Sequence, residues 1–258
     1  MPQGCHILLM NNKPEISLVG SAIRTDLWMR LHESVAYSDV PFEIVLVGHV
    51  SPGFTLPANI RHIYSTVKPA QCLEIGIRLA KGRLIMVVED GNIFRDGTLD
   101  RMYECYMNKK DSKSIISASC MVGGDDISRT IGRLLPGNIE SPIMPYCGLL
   151  ARDMWVSAGG IDRHFIALYG DCDMMMRMYQ LGARCEFCEG AIIEEAHNGP
   201  TIIHKNRLLL EYGQPYDKPL FDSLWIAEGK VRVERAVPVD PFDDSCILTS
   251  TQGEKGRW

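Results

Sequence analysis

The sequence predicts an α/β protein whose central sheet is mostly parallel and carries helices on both faces. Short apolar segments alternate with longer segments of helical periodicity through the first half of the 258-residue chain. Strands and helices that alternate in this way form βαβ units, in which successive strands run parallel. A second observation is the apolar run that begins Leu84–Phe94, LIMVVEDGNIF, because unbroken runs of this kind are typical of strands buried on both faces.

The first elements follow from apolar runs and their spacing. His6–Met10, HILLM, predicts the first strand. Glu15–Ala36 is long enough for a helix and carries apolar residues along its length, so we interpret it as the first helix. Phe42–Gly48, FEIVLVG, predicts the second strand because the loop-forming residues HVSPG follow it, and Ile60–Ser65 predicts the third.

The next segments repeat the alternation. Pro69–Lys81 places Ile75 and Leu79 on one helical face, and a proline is tolerated in the first turn of a helix. Leu84–Val88 predicts the fourth strand, and Gly97–Asn108 the helix after it. This order of elements completes the βαβ pattern of the first half.

The second half is less regular. Ser114–Ser119 and Ile143–Arg152 predict two further strands, and Asp153–Ala158 and Asp171–Leu181 predict a short and a longer helix. Between the two strands lies Met121–Pro145, which is rich in Gly, Asp, Ser and Pro. A loop of this length suits a lid over a bound ligand, and a merely exposed loop is the alternative.

The C-terminal region shows several prolines and weak periodicity from about Tyr212. We therefore predict that residues 1–212 form one domain and that residues 213–258 form a tail packing on it. Nine scattered cysteines without a disulfide framework favour reduced thiols and a cytoplasmic location. The apolar runs are far shorter than the ~20 residues of a membrane span, so we expect no transmembrane segment.

The net charge of −5 and the pI of about 5.8 argue against a nucleic-acid surface. A local basic patch remains an alternative if the fold gathers four residues of the less regular regions, namely Arg129, Arg133, Lys205 and Arg207.

Acidic and imidazole side chains mark a candidate site. Glu89 and Asp90 follow the fourth strand, where open α/β sheets bind ligands, and Asp171 and Asp173 lie at a predicted helix start. His197 follows a late apolar run. Hard divalent cations prefer carboxylate oxygens, and a histidine can complete an asymmetric site. The alternative is that the two aspartates only cap their helix.

Three segments resemble the family 2 glycosyltransferases, whose nucleotide-sugar-binding fold is called GT-A. They read PFEIVLVGHVSPG, IRLAKGRLIMVVEDGNIFRDGTLDRM and GGIDRHFIALYGDCDMMMRMYQLGAR. The resemblance runs from about Cys5 to His197. It implies a GT-A fold and transfer of a sugar from a nucleotide-sugar donor to an acceptor hydroxyl, with inversion and with a divalent cation (Mn²⁺ or Mg²⁺).

The resemblance also implies roles for individual residues. Asp171 would be the general base that deprotonates the acceptor, supported by Asp173 and Arg177. The implied metal ligands are Glu89, Asp90, Asn92 and His197, and the implied nucleotide contacts are Asn11, Asn12, Gly48, Glu89 and Asp90. A cation would stabilise the charge that grows on the diphosphate, and a carboxylate would remove the proton of the attacking hydroxyl.

The nucleotide side departs from the family pattern. Family members usually carry acids in the turn after the second strand, where this chain has Val47, Gly48 and His49. Three hypotheses therefore stay open: an active glycosyltransferase, a GT-A-fold binding or scaffold protein that has lost turnover, and a transferase that acts on a modified nucleic-acid base. The acceptor, whether saccharide, protein or modified base, is not indicated by the sequence.

Overall fold

The computed structural model describes residues 13–109, 111–128, 143–195, 209–232 and 234–242. The strand predicted at His6–Met10 and most of the long loop Met121–Pro145 lie outside these residues. Eleven strands are described: β1 Ile16–Ser21, β2 Phe42–Gly48, β3 Ile60–Tyr64, β4 Leu84–Val87, β5 Asn92–Phe94, β6 Ser114–Val122, β7 Asp125–Asp126, β8 Leu149–Ala151, β9 Arg184–Glu195, β10 Ile226–Ala227 and β11 Lys230–Val231.

Six α-helices accompany these strands in the described residues. They are α1 Trp28–Val35, α2 Pro69–Leu79, α3 Thr98–Lys109, α4 Arg152–Ser157, α5 Gly170–Gln180 and α6 Lys218–Trp225. A short 3-10 turn at Thr25–Leu27 leads into α1, and a π-helical segment at Leu209–Asp217 leads into α6. Among the described residues, none of the helices has both the length and the apolar character that crossing a membrane requires.

One large sheet organises the molecule. Its strand order is β3-β2-β1-β4-β8-β6-β9-β5, and β7 pairs with the end of β6. The strands β1 to β4 are parallel, and β6 and β9 are parallel to each other. The strand β8 runs antiparallel to both of its neighbours, and β5 runs antiparallel to β9. The prediction of a mostly parallel sheet with flanking helices is confirmed.

The helix predicted at Glu15–Ala36 is wrong in its first half. Ile16–Ser21 is instead the central strand β1, paired with β2 on one side and β4 on the other. Its first five residues are buried, which explains why the segment shows no polar face. An uninterrupted apolar run fits a buried strand as well as a helix, and the two neighbouring strands decide between them. The helix begins only at Trp28.

The sheet separates two apolar cores. Alternate residues of β1 point to opposite faces, so Leu18 joins the core that contains Trp28, whereas Val19 joins the core that contains Trp155. The second of these cores also receives Phe221 and Trp225 from α6, both of which are fully buried. The segment after Tyr212, whose sequence shows only weak periodicity, therefore supplies large side chains to the interior.

Candidate functional site

The parallel strands bring several loops to one edge of the sheet. The strands β1, β2 and β4 are neighbours with the same direction, so the segments that follow them lie side by side at their carboxyl ends. The segment Val88–Gly91, which follows β4, is called the acid turn below. It meets the segment Ala22–Arg24, which follows β1. Open α/β sheets bind ligands in the crevice at this edge.

Asp90 holds the acid turn against the loop after β1. The backbone N–H groups of Ile23 and Arg24 donate to Oδ2 of Asp90 over 2.9 and 2.8 Å. Nε of Arg24 donates to Oδ1 over 2.5 Å, and Nη2 of Arg24 forms an ion pair with the same oxygen. The Asp90 side chain is buried. Both of its oxygens are therefore engaged by the protein itself.

Glu89 is the accessible carboxylate of the acid turn. Its side chain is 61% exposed, and its Oε2 lies 3.8 Å from Nη2 of Arg24. Surrounding protein still desolvates this position, which raises the pKa of Glu89 most, and the negative charge of Glu195 adds to the rise. Arg24 lowers the pKa, whereas Asp90 and Asp171 raise it further, and the result is a pKa of about 7.

Asn92 closes the acid turn. Its Oδ1 accepts hydrogen bonds from the backbone N–H of Glu89 over 2.7 Å and from the thiol of Cys147 over 3.3 Å. Its Nδ2 donates to the hydroxyl of Tyr146 over 2.8 Å, and this hydroxyl donates to Glu195 over 3.3 Å. These contacts give the buried Asn92 side chain a role in shaping the turn.

Asp171 lies in the first turn of α5 and is only partly buried. Its Oδ1 accepts a hydrogen bond from the N–H of Cys172 over 2.9 Å. Desolvation raises the pKa of Asp171, and the hydrogen bond from the Cys172 backbone opposes the rise without cancelling it. Among the negative charges that raise the pKa of Glu89, Asp171 contributes after Glu195 and Asp90.

Asp217 holds the loop that leads to Asp171. Its carboxylate accepts hydrogen bonds from three consecutive backbone N–H groups, those of Ile166, Ala167 and Leu168, over 3.0, 2.7 and 2.8 Å. Asp217 is fully buried at the end of the π-helical segment. Sequence reasoning missed this residue, because it stands among prolines and glycine in a segment without clear periodicity.

Asp173 and Arg177 belong to a buried ionic cluster. Asp173 is fully buried and accepts hydrogen bonds from Nε of Arg177 over 3.0 Å, Nε1 of Trp225 over 2.9 Å and Nε of Arg235 over 2.8 Å. Arg235 also pairs with the buried Asp162. The cluster contains two cations and two anions and joins α5, α6 and the segment around Arg235. Its contacts are those of a structural support.

Glu74 is a second structural carboxylate that the sequence did not reveal. It accepts hydrogen bonds from the N–H of Ile161 over 3.0 Å and from Nε1 of Trp155 over 3.3 Å. Gly160 has a φ of +73°, and a Cβ there would lie 2.7 Å from Oε1 of Glu74. Gly160 is therefore needed for this close approach, and the hydrogen bond from Ile161 to Glu74 fixes the loop before α5.

The remaining predicted residues fall at the edge of the site or outside the described chain. Gly48 ends β2, and a Cβ there would lie 2.0 Å from the carbonyl oxygen of Ala22, so the loops after β1 and β2 touch at this point. Asn11, Asn12 and His197 lie outside the described residues, as do the four residues of the predicted basic patch. In the part of the chain that is described, no group of three His, Cys, Asp or Glu side chains is arranged to hold a metal ion.

Comparisons with known proteins agree with this architecture. No protein-family model matches the chain, and no curated protein matches it. Solved structures of residues 1–349 of S. aureus TarS do match. The structure without a named ligand has a TM-score of 0.57 at 14% identity, and the match covers 83% of this chain and 76% of that one.

Two further TarS structures contain nucleotides. The complex with UDP matches with a TM-score of 0.55 at 15% identity, over 70% of this chain and 60% of TarS 1–349. The complex with UDP-GlcNAc matches with a TM-score of 0.55 at 14% identity, over 72% and 59%. The chain thus spans about three fifths of the TarS fragment in these two matches. Identities this low show the shared architecture alone, and the chain has the GT-A fold.

Proposed function

We propose that the protein is a glycosyltransferase that moves a sugar from a nucleotide-sugar donor to an acceptor hydroxyl. The observation that carries the proposal is the position of the acid turn, which hydrogen bonds hold against the loop after β1 at the carboxyl edge of a GT-A sheet. TarS, which shares the fold, was solved with UDP and with UDP-GlcNAc. A uridine nucleotide is therefore the first donor to test.

Asp171 is assigned as the general base. Its partial exposure leaves it accessible to an acceptor, and the raised pKa makes it a stronger proton acceptor than an ordinary aspartate. In the proposed step the acceptor oxygen attacks the anomeric carbon while its proton passes to Asp171. The bond to the diphosphate oxygen breaks, and its electron pair leaves with the nucleotide. One displacement of this kind inverts the anomeric centre and needs no covalent enzyme intermediate.

The described donor atoms do not fit a divalent cation, although the resemblance implies one. Both oxygens of Asp90 accept hydrogen bonds from Ile23 and Arg24, and Oδ1 of Asn92 accepts two others. Of these three side chains, Glu89 alone has oxygen atoms that are not occupied by such hydrogen bonds, and a single carboxylate is a weak site for Mg²⁺ or Mn²⁺. The proposal therefore derives no step through a metal.

Calorimetric titration with UDP, GDP, ADP, CDP and dTDP tests the donor class, and release of the nucleotide from the matching nucleotide sugar tests turnover. Binding of one nucleoside diphosphate together with acceptor-dependent release supports the transferase. Binding without release favours the alternative of a GT-A-fold binding protein. The observation behind this alternative is that hydrogen bonds from Ile23 and Arg24 occupy both oxygens of Asp90. Failure of all five nucleotides to bind contradicts the proposal.

A further inference from the structure

The guanidinium of Arg24 occupies the centre of the acid turn. It pairs with Asp90 through Nε and Nη2, and its Nη2 lies 3.8 Å from Glu89. A Cβ on Gly91 would lie 3.1 Å from Nη2 and 3.3 Å from both Cζ and Nη1. The guanidinium therefore packs against the backbone of Gly91. A side chain at position 91 would crowd the guanidinium.

The position of Arg24 is set by both backbone and side chain. The N–H groups of Ile23 and Arg24 bind the same carboxylate that holds the guanidinium, so the loop and its side chain are fixed together. Arg24 follows the end of β1 by three residues, at the carboxyl edge where α/β sheets bind phosphate-bearing ligands. A cation fixed in this way loses little conformational freedom when a ligand arrives.

Arg24 also keeps donors for a ligand. A guanidinium has five N–H donors in a planar fork that matches phosphate oxygens. Asp90 engages Nε and Nη2, and among the described residues no hydrogen bond from Nη1 to a protein acceptor is found. The side chain is 26% exposed, so water or a ligand reaches part of it.

We propose that Arg24 supplies the positive charge that binds the donor's diphosphate, in place of a divalent cation. This inference rests on the proposed function and goes beyond it, because the cation that meets the leaving group is then part of the chain. Asp90 acts as the residue that positions Arg24. Gly91 provides the space that allows the guanidinium to lie at the acid turn.

The test measures UDP and uridine binding to the full 258-residue chain by calorimetry, with EDTA and with Mn²⁺. The expected affinity of the wild-type protein for UDP changes less than twofold between the two conditions. Arg24→Ala is expected to weaken UDP binding at least tenfold and uridine binding less than twofold, because only UDP carries the diphosphate. Arg24→Lys is expected to fall between the two, since a lysine keeps the charge and loses the fork.

Arg83→Ala is the matched control. Arg83 also pairs with a glutamate, Glu15, but it stands before β4, at the opposite end of the strand from the acid turn. Its removal is expected to leave UDP binding unchanged. If Arg24→Ala does not fold, the chelator comparison on wild-type protein and the Arg24→Lys variant still decide.

The outcomes separate the inference from the proposed function. UDP binding that EDTA abolishes and Mn²⁺ restores overturns the role of Arg24 and leaves the transferase proposal standing. Equal weakening of UDP and uridine by Arg24→Ala also overturns it, because the residue then acts on the whole pocket. If UDP, GDP, ADP, CDP and dTDP all fail to bind in either condition, the inference and the proposed function fail together.

Discussion

Asp171 and Asp173 lie two residues apart at the start of α5, but their surroundings differ and indicate different roles. Asp171 is partly buried and accepts one local hydrogen bond, whereas Asp173 is fully buried and binds three side chains. Successive residues on a helix differ by about 100° in direction, so residues two apart point to different sides. One aspartate of the pair is therefore free for the proposed site role, whereas the other is held by structural contacts.

Asp171→Asn tests this division. We expect acceptor-dependent turnover to fall about a hundredfold or more, because the amide keeps the shape and loses the basic oxygen. The melting temperature and the affinity for nucleotide should stay near the wild-type values. Full turnover in this variant, or its failure to fold, contradicts the assignment.

Asp173→Asn is the paired variant. Neutralising Asp173 leaves Asp162 as the one carboxylate of the cluster to balance Arg177 and Arg235, at a cost of about 3–5 kcal/mol in the free energy of unfolding. Urea denaturation measures this loss. An Asp173→Asn variant as stable as the wild-type protein would show that the cluster does not support the fold.

Glu89 gives the site a dependence on pH. Because its pKa is raised from 4.5 to about 7, ionising Glu89 in the folded protein costs stability as the pH rises through this window. The groups that surround it are Glu195, Arg24, Asp90 and Asp171. Glu89→Gln removes the cost, so we expect the melting temperature of this variant relative to the wild-type protein to rise between pH 4.5 and about 7 and to keep a constant difference at higher pH.

The ionised Glu89 should also repel a diphosphate. We expect UDP affinity to fall more steeply with rising pH in the wild-type protein than in Glu89→Gln, measured by calorimetry in matched buffers. Comparison at each pH cancels the titration of UDP itself. If UDP affinity depends on pH in the same way in the two proteins, Glu89 does not lie close to the bound diphosphate.

At the scale of elements, the π-helical segment serves the loop before α5. Asp217 satisfies three consecutive N–H groups of that loop, and no hydroxyl or amide of similar reach could accept all three. We expect Asp217→Ala to lower the free energy of unfolding by about 3 kcal/mol or more, since it leaves buried donors unpaired. Turnover should fall with it, whereas UDP affinity should change little because the acid turn lies on other elements.

Asp222→Ala is the control for that prediction. Asp222 lies in α6, and its ion pair with Lys218 is 40% exposed on both sides. Pairs of this kind contribute about 0–1 kcal/mol, so urea denaturation should hardly distinguish the variant from the wild-type protein. Equal losses of unfolding free energy in Asp217→Ala and Asp222→Ala would show that the three hydrogen bonds to Asp217 do not stabilise the fold.

The elements differ in how well their sequences predict them. The segments for β2, β3, β4, α2 and α3 have clear boundaries, and their predictions are confirmed to within a residue or two. The sequence of β1 predicts a helix, which is wrong, because apolar spacing alone does not distinguish a buried strand from a helix. In the site, acids after a strand and at a helix start drew attention to Glu89 and Asp171. The sequence does not predict the roles of Arg24, Glu74 and Asp217, because each of them binds partners that are distant in sequence.

On the scale of the whole molecule, the chain after residue 212 completes the interior. Phe221, Leu224 and Trp225 are buried in the core that contains α2 and α5, and Trp225 also donates to Asp173. Removal of one large buried side chain costs about 2–5 kcal/mol, and whole domains are stable by about 5–15 kcal/mol. The loss of all three side chains is therefore comparable to the whole free energy of unfolding of a domain.

A chain that ends at residue 212 should not fold. We expect it to show no cooperative thermal transition by circular dichroism and to bind an apolar dye, whereas the full chain shows a single transition. A truncated chain that melts cooperatively would show that the first 212 residues form an independent domain.

The contact of Asp217 with residues 166–168 has a further consequence for the order in which the protein is made. A ribosome adds residues from the N-terminus, so the strands β1 to β4 and the acid turn emerge first. The loop before Asp171 is synthesised next, but the carboxylate that its three N–H groups bind lies 49–51 residues further along the chain. On the proposed assignment, a nascent chain completes its nucleotide side first and fixes the loop before its base only after Asp217 has been synthesised.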